Sequence, residues 1–373
     1  MSLRDGAGTL CGLDVPALMH EVQVPGCSVA ILDQGRIVER RAFGVRSSGE
    51  PSAVTAQTVF QACSISKLVS LVAVLRLVDR GDLALDEDVN ERLRQWHVPA
   101  DGGGRPRVTL RQLATHTAGL STSGFLGYAA GTPVPSLLQV LEGTAPANSP
   151  AVRREHPVGT EFLYSGGGTT VIQLLLEELT GLGAERLLDE LVLSPLGMQD
   201  STFAQPLPEA WSHRAAHGHR ADGSEVDGAW HTYPEQLAAG LWSTPSDLLE
   251  VALSVQRSLS AAGEGLLTRE RAAEMVRPEV ALPAGAEVTG GLNAIGVGTF
   301  LRVQDEWATW FGHTGVNEGY RCCLLASTAT GQGAVVMTNS DAGFELIEPL
   351  LGAIATSYGW DGLDLARLPA PRG

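Results

Sequence analysis

The stretch Thr58-Val59-Phe60-Gln61-Ala62-Cys63-Ser64-Ile65-Ser66-Lys67 passes from a short β-rich run directly into a helix start. Thr58 to Ala62 reads as a strand. Ser66 to Arg80 reads as a helix whose apolar positions Leu68, Val69, Leu71, Val72, Val74, Leu75 and Val78 cover most of its circumference, with Gly81 as its stop. A helix apolar nearly all round is a buried one, so this helix is expected to thread a core and to carry Ser64 and Lys67 at its first turn. Lys67 is the only lysine among 373 residues, and every other basic side chain is arginine. A guanidinium cannot lose its proton inside a protein, whereas a buried ammonium can. A lone lysine three residues after a serine, on the same helix face, therefore points to a proton acceptor beside a hydroxyl.

Outward from this helix the chain divides by period. Cys27 to Asp33 and Arg36 to Gly44 are β-rich and meet at Gln34-Gly35, a hairpin signal. Strand-like runs return at Gly291 to Val303, Trp307 to Gly312, Gly319 to Ser327 and Ala334 to Asn339, with a turn at Thr330-Gly331-Gln332-Gly333, and Phe344 to Tyr358 closes as a helix. Between them, Val134 to Leu141, Gly168 to Leu179, Ala184 to Leu193, Pro245 to Leu259 and Thr268 to Met275 have helical apolar spacing, with Thr244 and Thr268 placed as caps. The chain also exceeds the roughly 250 to 300 residues of a single core. The expected fold is α+β: an antiparallel sheet built from both chain ends and flanked by helices, with a large, mostly helical insertion. Residues 1–63 and 291–373 would form the sheet subdomain and 64–290 the helical one, with the active site between them.

A formal net charge of −16 repels phosphate backbones and anionic lipid, which disfavours nucleic-acid and membrane-surface partners and favours a small-molecule ligand. Met1 to Gly6 lacks an apolar leader and no later run approaches a membrane span, so a cytoplasmic location is expected. The five cysteines, at 11, 27, 63, 322 and 323, are odd in number and scattered, as suits a reducing compartment. Cys322 and Cys323, adjacent in a strand, point to opposite faces and cannot share a metal. His213, His217 and His219 have no HExxH beside them and fall in a loop-like stretch, and no metal is expected there.

Two further short motifs take their meaning from order and context. Tyr164-Ser165-Gly166 precedes a helix, and His313-Thr314-Gly315 lies between the run ending at Phe311 and the one starting at Gly319. With Ser64-Ile65-Ser66-Lys67 they resemble the three motifs of the serine β-lactamase and penicillin-binding-protein superfamily, namely Ser-x-x-Lys, Tyr-x-Asn and Lys/His-Thr-Gly. The resemblance is to the group of class C β-lactamases, DD-peptidases, D-aminopeptidases and family VIII esterases. It extends to Thr109 to Leu120, Pro195-Leu196-Gly197-Met198 and Ala239 to Ser243, and covers roughly residues 12 to 358. His116-Thr117-Ala118-Gly119 is a rival His-Thr-x-Gly, but it closes a helix, so His116 reads as structural and His313 as the site residue.

The resemblance implies two-step acyl transfer through Ser64, whose place at a helix N-terminus favours an alkoxide. Lys67, desolvated and beside another cation, would share the role of base with Tyr164. The backbone N–H groups of Ser64 and Val316 would form the oxyanion hole. His313, with an ordinary imidazole near pH 6.5, would face the substrate, and Gly166, Thr314 and Gly315 would help to bind it. No metal or organic cofactor is implied. The sequence departs from the β-lactamase pattern at Gly166, where asparagine is usual, and at His313, where lysine is. Both shifts favour esters, amides or peptides over β-lactams. A serine hydrolase acting on such small substrates is expected; a class C-like β-lactamase, an acyltransferase and a catalytically inactive binding or scaffold protein are the alternatives.

Overall fold

The computed structural model describes residues 8–100, 104–286 and 288–365. Nine strands form one antiparallel sheet: β1 Gly26–Asp33, β2 Arg36–Ser47, β3 Glu50–Ala53, β4 Val280–Ala281, β5 Ala294–Ile295, β6 Phe300–Gln304, β7 Trp307–Asn317, β8 Tyr320–Ser327 and β9 Gly333–Thr338. Their spatial order is β3-β2-β1-β9-β8-β7-β6-β5-β4. The two chain ends meet where β1 pairs with β9, in register from Gly333 opposite Leu32 to Thr338 opposite Cys27. The hairpin at Gln34-Gly35 forms as expected, and the sheet also takes in Val280–Ala281, which falls within the stretch expected to be mostly helical.

Both faces of this sheet are covered, which is why its central strands are apolar at consecutive positions rather than alternating with polar ones. On one face Ala30, Leu32, Cys322, Leu324, Val335 and Met337 pack into the larger core, together with helix α1 Ile65–Asp79. Cys323, Leu325, Val29 and Val336 point the other way, into a second core. Helix α4, Phe344–Tyr358, closes that second core through Leu346, Ile347 and Leu350. Cys322 and Cys323 thus lie in different cores, and neither is in a disulfide. Between α1 and α4 in sequence come helices α2 Gly166–Thr180 and α3 Pro245–Leu259, the latter capped by Thr244 as read from the sequence.

Helix α1 is buried at every residue except Arg76, Val78 and Asp79, as a helix apolar all round requires. Departures from the expected elements have local causes. The 134–141 helix begins only at Leu137, because Ser136 forms a reciprocal capping box with Gln139. The 184–193 helix changes to a π-helical turn over Asp189–Leu193. The 291–303 run is split into β5 and β6 by Gly298, which takes a φ of 78° where a Cβ would collide with Leu71. Among the described residues, no helix is long and apolar enough to cross a membrane.

Candidate active site

The turn from the short strand Phe60–Gln61 into α1 is made by Cys63 in the left-handed region, at a φ of 51°. This is uncommon for a residue with a Cβ, and it sets Ser64 at the lip of the helix. Ser64 Oγ makes no capping bond. It accepts instead from Lys67 Nζ at 3.1 Å, and the same ammonium donates to the Ala238 carbonyl at 2.8 Å. The face of α1 that carries Lys67 is stitched to the 237–241 segment on either side. Ser70 Oγ donates to the Leu237 carbonyl at 3.3 Å, and Ser66 Oγ accepts from Leu241 N at 3.1 Å. Lys67 is only 3% exposed, so its amine is held by two oxygen partners rather than by water.

Tyr164 comes to this pair from the residue before the α2 cap. Ser165 caps α2 by accepting from Gly168 N at 2.8 Å and donating to the Ser121 carbonyl at 2.7 Å. Lys67 Nζ stands 5.1 Å from the Tyr164 ring centre, over the ring. The tyrosine also packs on His116, whose ring centre is 4.4 Å away. His116 Nδ1 accepts the Ser165 N–H at 3.2 Å and its carbonyl accepts the Leu163 N–H at 2.8 Å. Burial, then the neighbouring Lys67 charge, push the His116 imidazole well below its ordinary range. His116 is thus buried against Tyr164 and tied to the backbone on either side of it.

β6 pairs with β7 only as far as Phe300 opposite Gly312, so from His313 to Asn317 one backbone edge of β7 is free toward the cleft. The bond from Thr328 N to the Thr309 carbonyl, 3.0 Å, sets the phase of the β7–β8 ladder. With that phase His313 and Gly315 bond to β8, while the N–H groups of Thr314 and Val316 point to the cleft edge. Gly315 permits the close approach. A Cβ there would stand 2.7 Å from Cys63 Cβ and 2.8 Å from the Ala62 carbonyl, immediately behind the nucleophile turn.

His313 is buried, and its Nδ1–H donates to the Thr314 carbonyl at 2.5 Å, which leaves Nε2 as the acceptor. Desolvation, then the Lys67 charge, push its imidazole down to about 3. This corrects the expectation of a group titrating near neutrality: His313 is a neutral imidazole at physiological pH.

Ser64, Tyr164, His313, Thr314 and Val316 line one open cavity of about 610 Å³, and Lys67 supports Ser64 from behind. Gly166 does not line it. The ring of Phe125 lies against Gly166, so close that a Cβ there would be 2.9 Å from Phe125 Cε2. This corrects its expected role as a substrate contact, because Phe125 supplies the wall instead. Phe162, Val288 and Phe300 are cavity residues that sequence reading missed, whereas Phe125 lies in the irregular stretch 121–133, expected to shape the pocket but with no residue singled out. The first three carry no local signal that separates a cavity wall from a core. Of the loop histidines, His219 is buried between the Ser48 N–H and the Asn339 carbonyl, and His217 faces Glu225. Among the described residues no metal-binding cluster is formed.

A sheet joined from both chain ends, with a serine and lysine on a buried helix facing a free strand edge, defines a β-lactamase-like fold and site. The chain belongs to the Beta-lactamase family, whose sequence profile matches residues 14–355. It is 29% identical to "Penicillin-binding protein 4" of Amycolatopsis lactamdurans, over 91% of this chain and 88% of that protein. It is 30% identical to "Esterase EstB" of Burkholderia gladioli, over 62% of this chain and 60% of the esterase. Among solved structures, the octameric penicillin-binding protein homologue from Pyrococcus abyssi superposes with a TM-score of 0.74 at 23% identity, covering 94% of this chain and 77% of that one.

Proposed function

We propose that this protein is a serine hydrolase that cleaves small esters, and more slowly amides, through an acyl-enzyme on Ser64. The observation that carries the reading is the 3.1 Å contact between Lys67 Nζ and a Ser64 Oγ that has no capping duty, at the wall of an open cavity. In the reactive form the Lys67–Tyr164 pair has given up one proton, and in acylation Ser64 Oγ attacks the substrate carbonyl carbon while its own proton passes to that pair. The carbonyl oxygen becomes an oxyanion held by the N–H groups of Ser64 and Val316. The proton then moves to the leaving oxygen as the C–O bond breaks. Water repeats the sequence on the acyl-enzyme and releases the acid. His313, neutral, offers a hydrogen bond and no charge.

Family membership supports a hydrolase of this kind, and the likeness to an esterase supports esters. The test is hydrolysis of p-nitrophenyl acetate by wild type and Ser64→Ala: loss of turnover in a folded variant is expected, and retained turnover would remove Ser64 as nucleophile.

A further inference from the structure

Phe125 lies against the start of α2 because Gly166 has no side chain. Its ring thereby becomes part of the cavity that opens on Ser64. Phe162, Val288 and Phe300 continue an apolar surface, and none of the described lining residues is charged. Two of the large apolar side chains that the protein leaves exposed are also at this cavity, Leu126 at 69% and Val316 at 53%. Exposed apolar groups gathered at one cleft mark a binding surface. The nearest cation, Lys67, is already bound by two oxygens, and the His313 imidazole is uncharged at neutral pH, so nothing in the site balances a substrate carboxylate. The protein's net charge of −16 opposes anions further.

The two sides of the cavity differ. The leaving oxygen must take a proton from the Lys67–Tyr164 pair, so the leaving group occupies the side where Tyr164 packs with Phe300 and His313. The acyl chain is placed against Phe125 and Leu126, lining residues that take no part in the proton transfer. We propose that the Phe125 ring, seated against Gly166, selects uncharged esters with an apolar acyl chain of several carbons. This deepens, and rests on, the reading of Ser64 as the acylated nucleophile.

The test is kcat/KM for p-nitrophenyl acetate, butyrate, hexanoate and hemisuccinate in wild type, Phe125→Ala and Gly166→Ala. In wild type, butyrate should exceed acetate by roughly tenfold or more, the scale of discrimination by added methylenes in an apolar pocket. Hemisuccinate, which replaces the chain's end by a carboxylate, should fall below butyrate. Phe125→Ala should collapse the butyrate-to-acetate ratio. Gly166→Ala approaches the same contact from the other partner: its methyl group pushes the ring into the cavity, so hexanoate should suffer more than acetate. A butyrate-to-acetate ratio unchanged in Phe125→Ala, or a wild type that prefers hemisuccinate, overturns the proposal. If those ratios stay flat while Ser64→Ala is dead, only the selectivity is wrong; if Ser64→Ala hydrolyses every ester as wild type does, the nucleophile assignment falls and takes the selectivity with it.

Discussion

Lys67 Nζ lies 3.1 Å from Ser64 Oγ, and its bond to the Ala238 carbonyl anchors it to a segment 171 residues further along the chain. That second anchor keeps the amine at the hydroxyl. Lys67→Arg preserves charge but removes a group able to accept a proton. We predict a fall in the acylation rate of at least about a hundredfold, the lower end for losing general-base help, read as the burst rate with p-nitrophenyl acetate. A near-native burst would reduce Lys67 to a fixed charge.

His313 separates geometry from titration. With its imidazole pushed down to about 3, the residue does not change charge between pH 5 and 8. His313→Gln should lower kcat/KM through the lost hydrogen bond, yet leave the shape of the pH–rate profile unaltered over that range. A limb near pH 6.5 that vanishes in the variant would contradict this. Stability carries the complementary sign. Unfolded histidine takes a proton near pH 6.5 and the folded one does not. The contribution is therefore complete above about pH 6.5 and is lost as pH falls toward 3. Urea midpoints at pH 7.5 and 5 should differ less in His313→Gln than in wild type.

Glu235 gives the opposite slope. It is fully buried, neither carboxyl oxygen has a hydrogen-bond partner, and desolvation raises it from 4.5 to about 7. The folded state keeps the proton that the unfolded state has already lost, so the contribution is present in full below pH 4.5 and disappears as pH rises through about 7. Glu235→Gln should therefore stabilise the protein at pH 8 by roughly 1 to 3 kcal/mol relative to its effect at pH 4.5. Chemical denaturation at the two pH values checks this, and a gain confined to the acid side would contradict it.

Gly166 and Phe125 bear on β-lactams. With no amide at position 166, a penicillin's acylamide chain loses a hydrogen bond, a cost of about 1 to 3 kcal/mol in a desolvated site. Nitrocefin turnover should be weak beside that of short esters. Gly166→Asn alone should not restore it, because the new Cβ meets Phe125 Cε2 at 2.9 Å. Paired with Phe125→Ala, the asparagine has room, and β-lactam acylation should rise. Wild-type hydrolysis of nitrocefin more efficient than that of short esters would refute this use of the position.

Much of this was legible because single side chains carried it. The all-apolar face of α1, the lone Lys67, and Thr244 and Thr268 at helix starts fixed elements to within a residue or two. The strand bearing His313-Thr314-Gly315 was recognisable, but not that it runs unbroken to Asn317, since glycine and asparagine mask the β pattern there. What stayed hidden depends on packing between distant segments. Local sequence has no term for Phe125 lying on Gly166, for the burial that silences His313, or for Ala238 holding Lys67. Val280–Ala281, two residues long, pairs through partners that its own composition does not reveal.

The most direct test of the central claim is intact-protein and peptide mass spectrometry after brief exposure to p-nitrophenyl butyrate under acid quench. The account predicts a single butyryl adduct on the peptide carrying Ser64, absent in Ser64→Ala and slowed in Lys67→Arg. Ester turnover with no adduct, or an adduct on another residue that persists in Ser64→Ala, would contradict it.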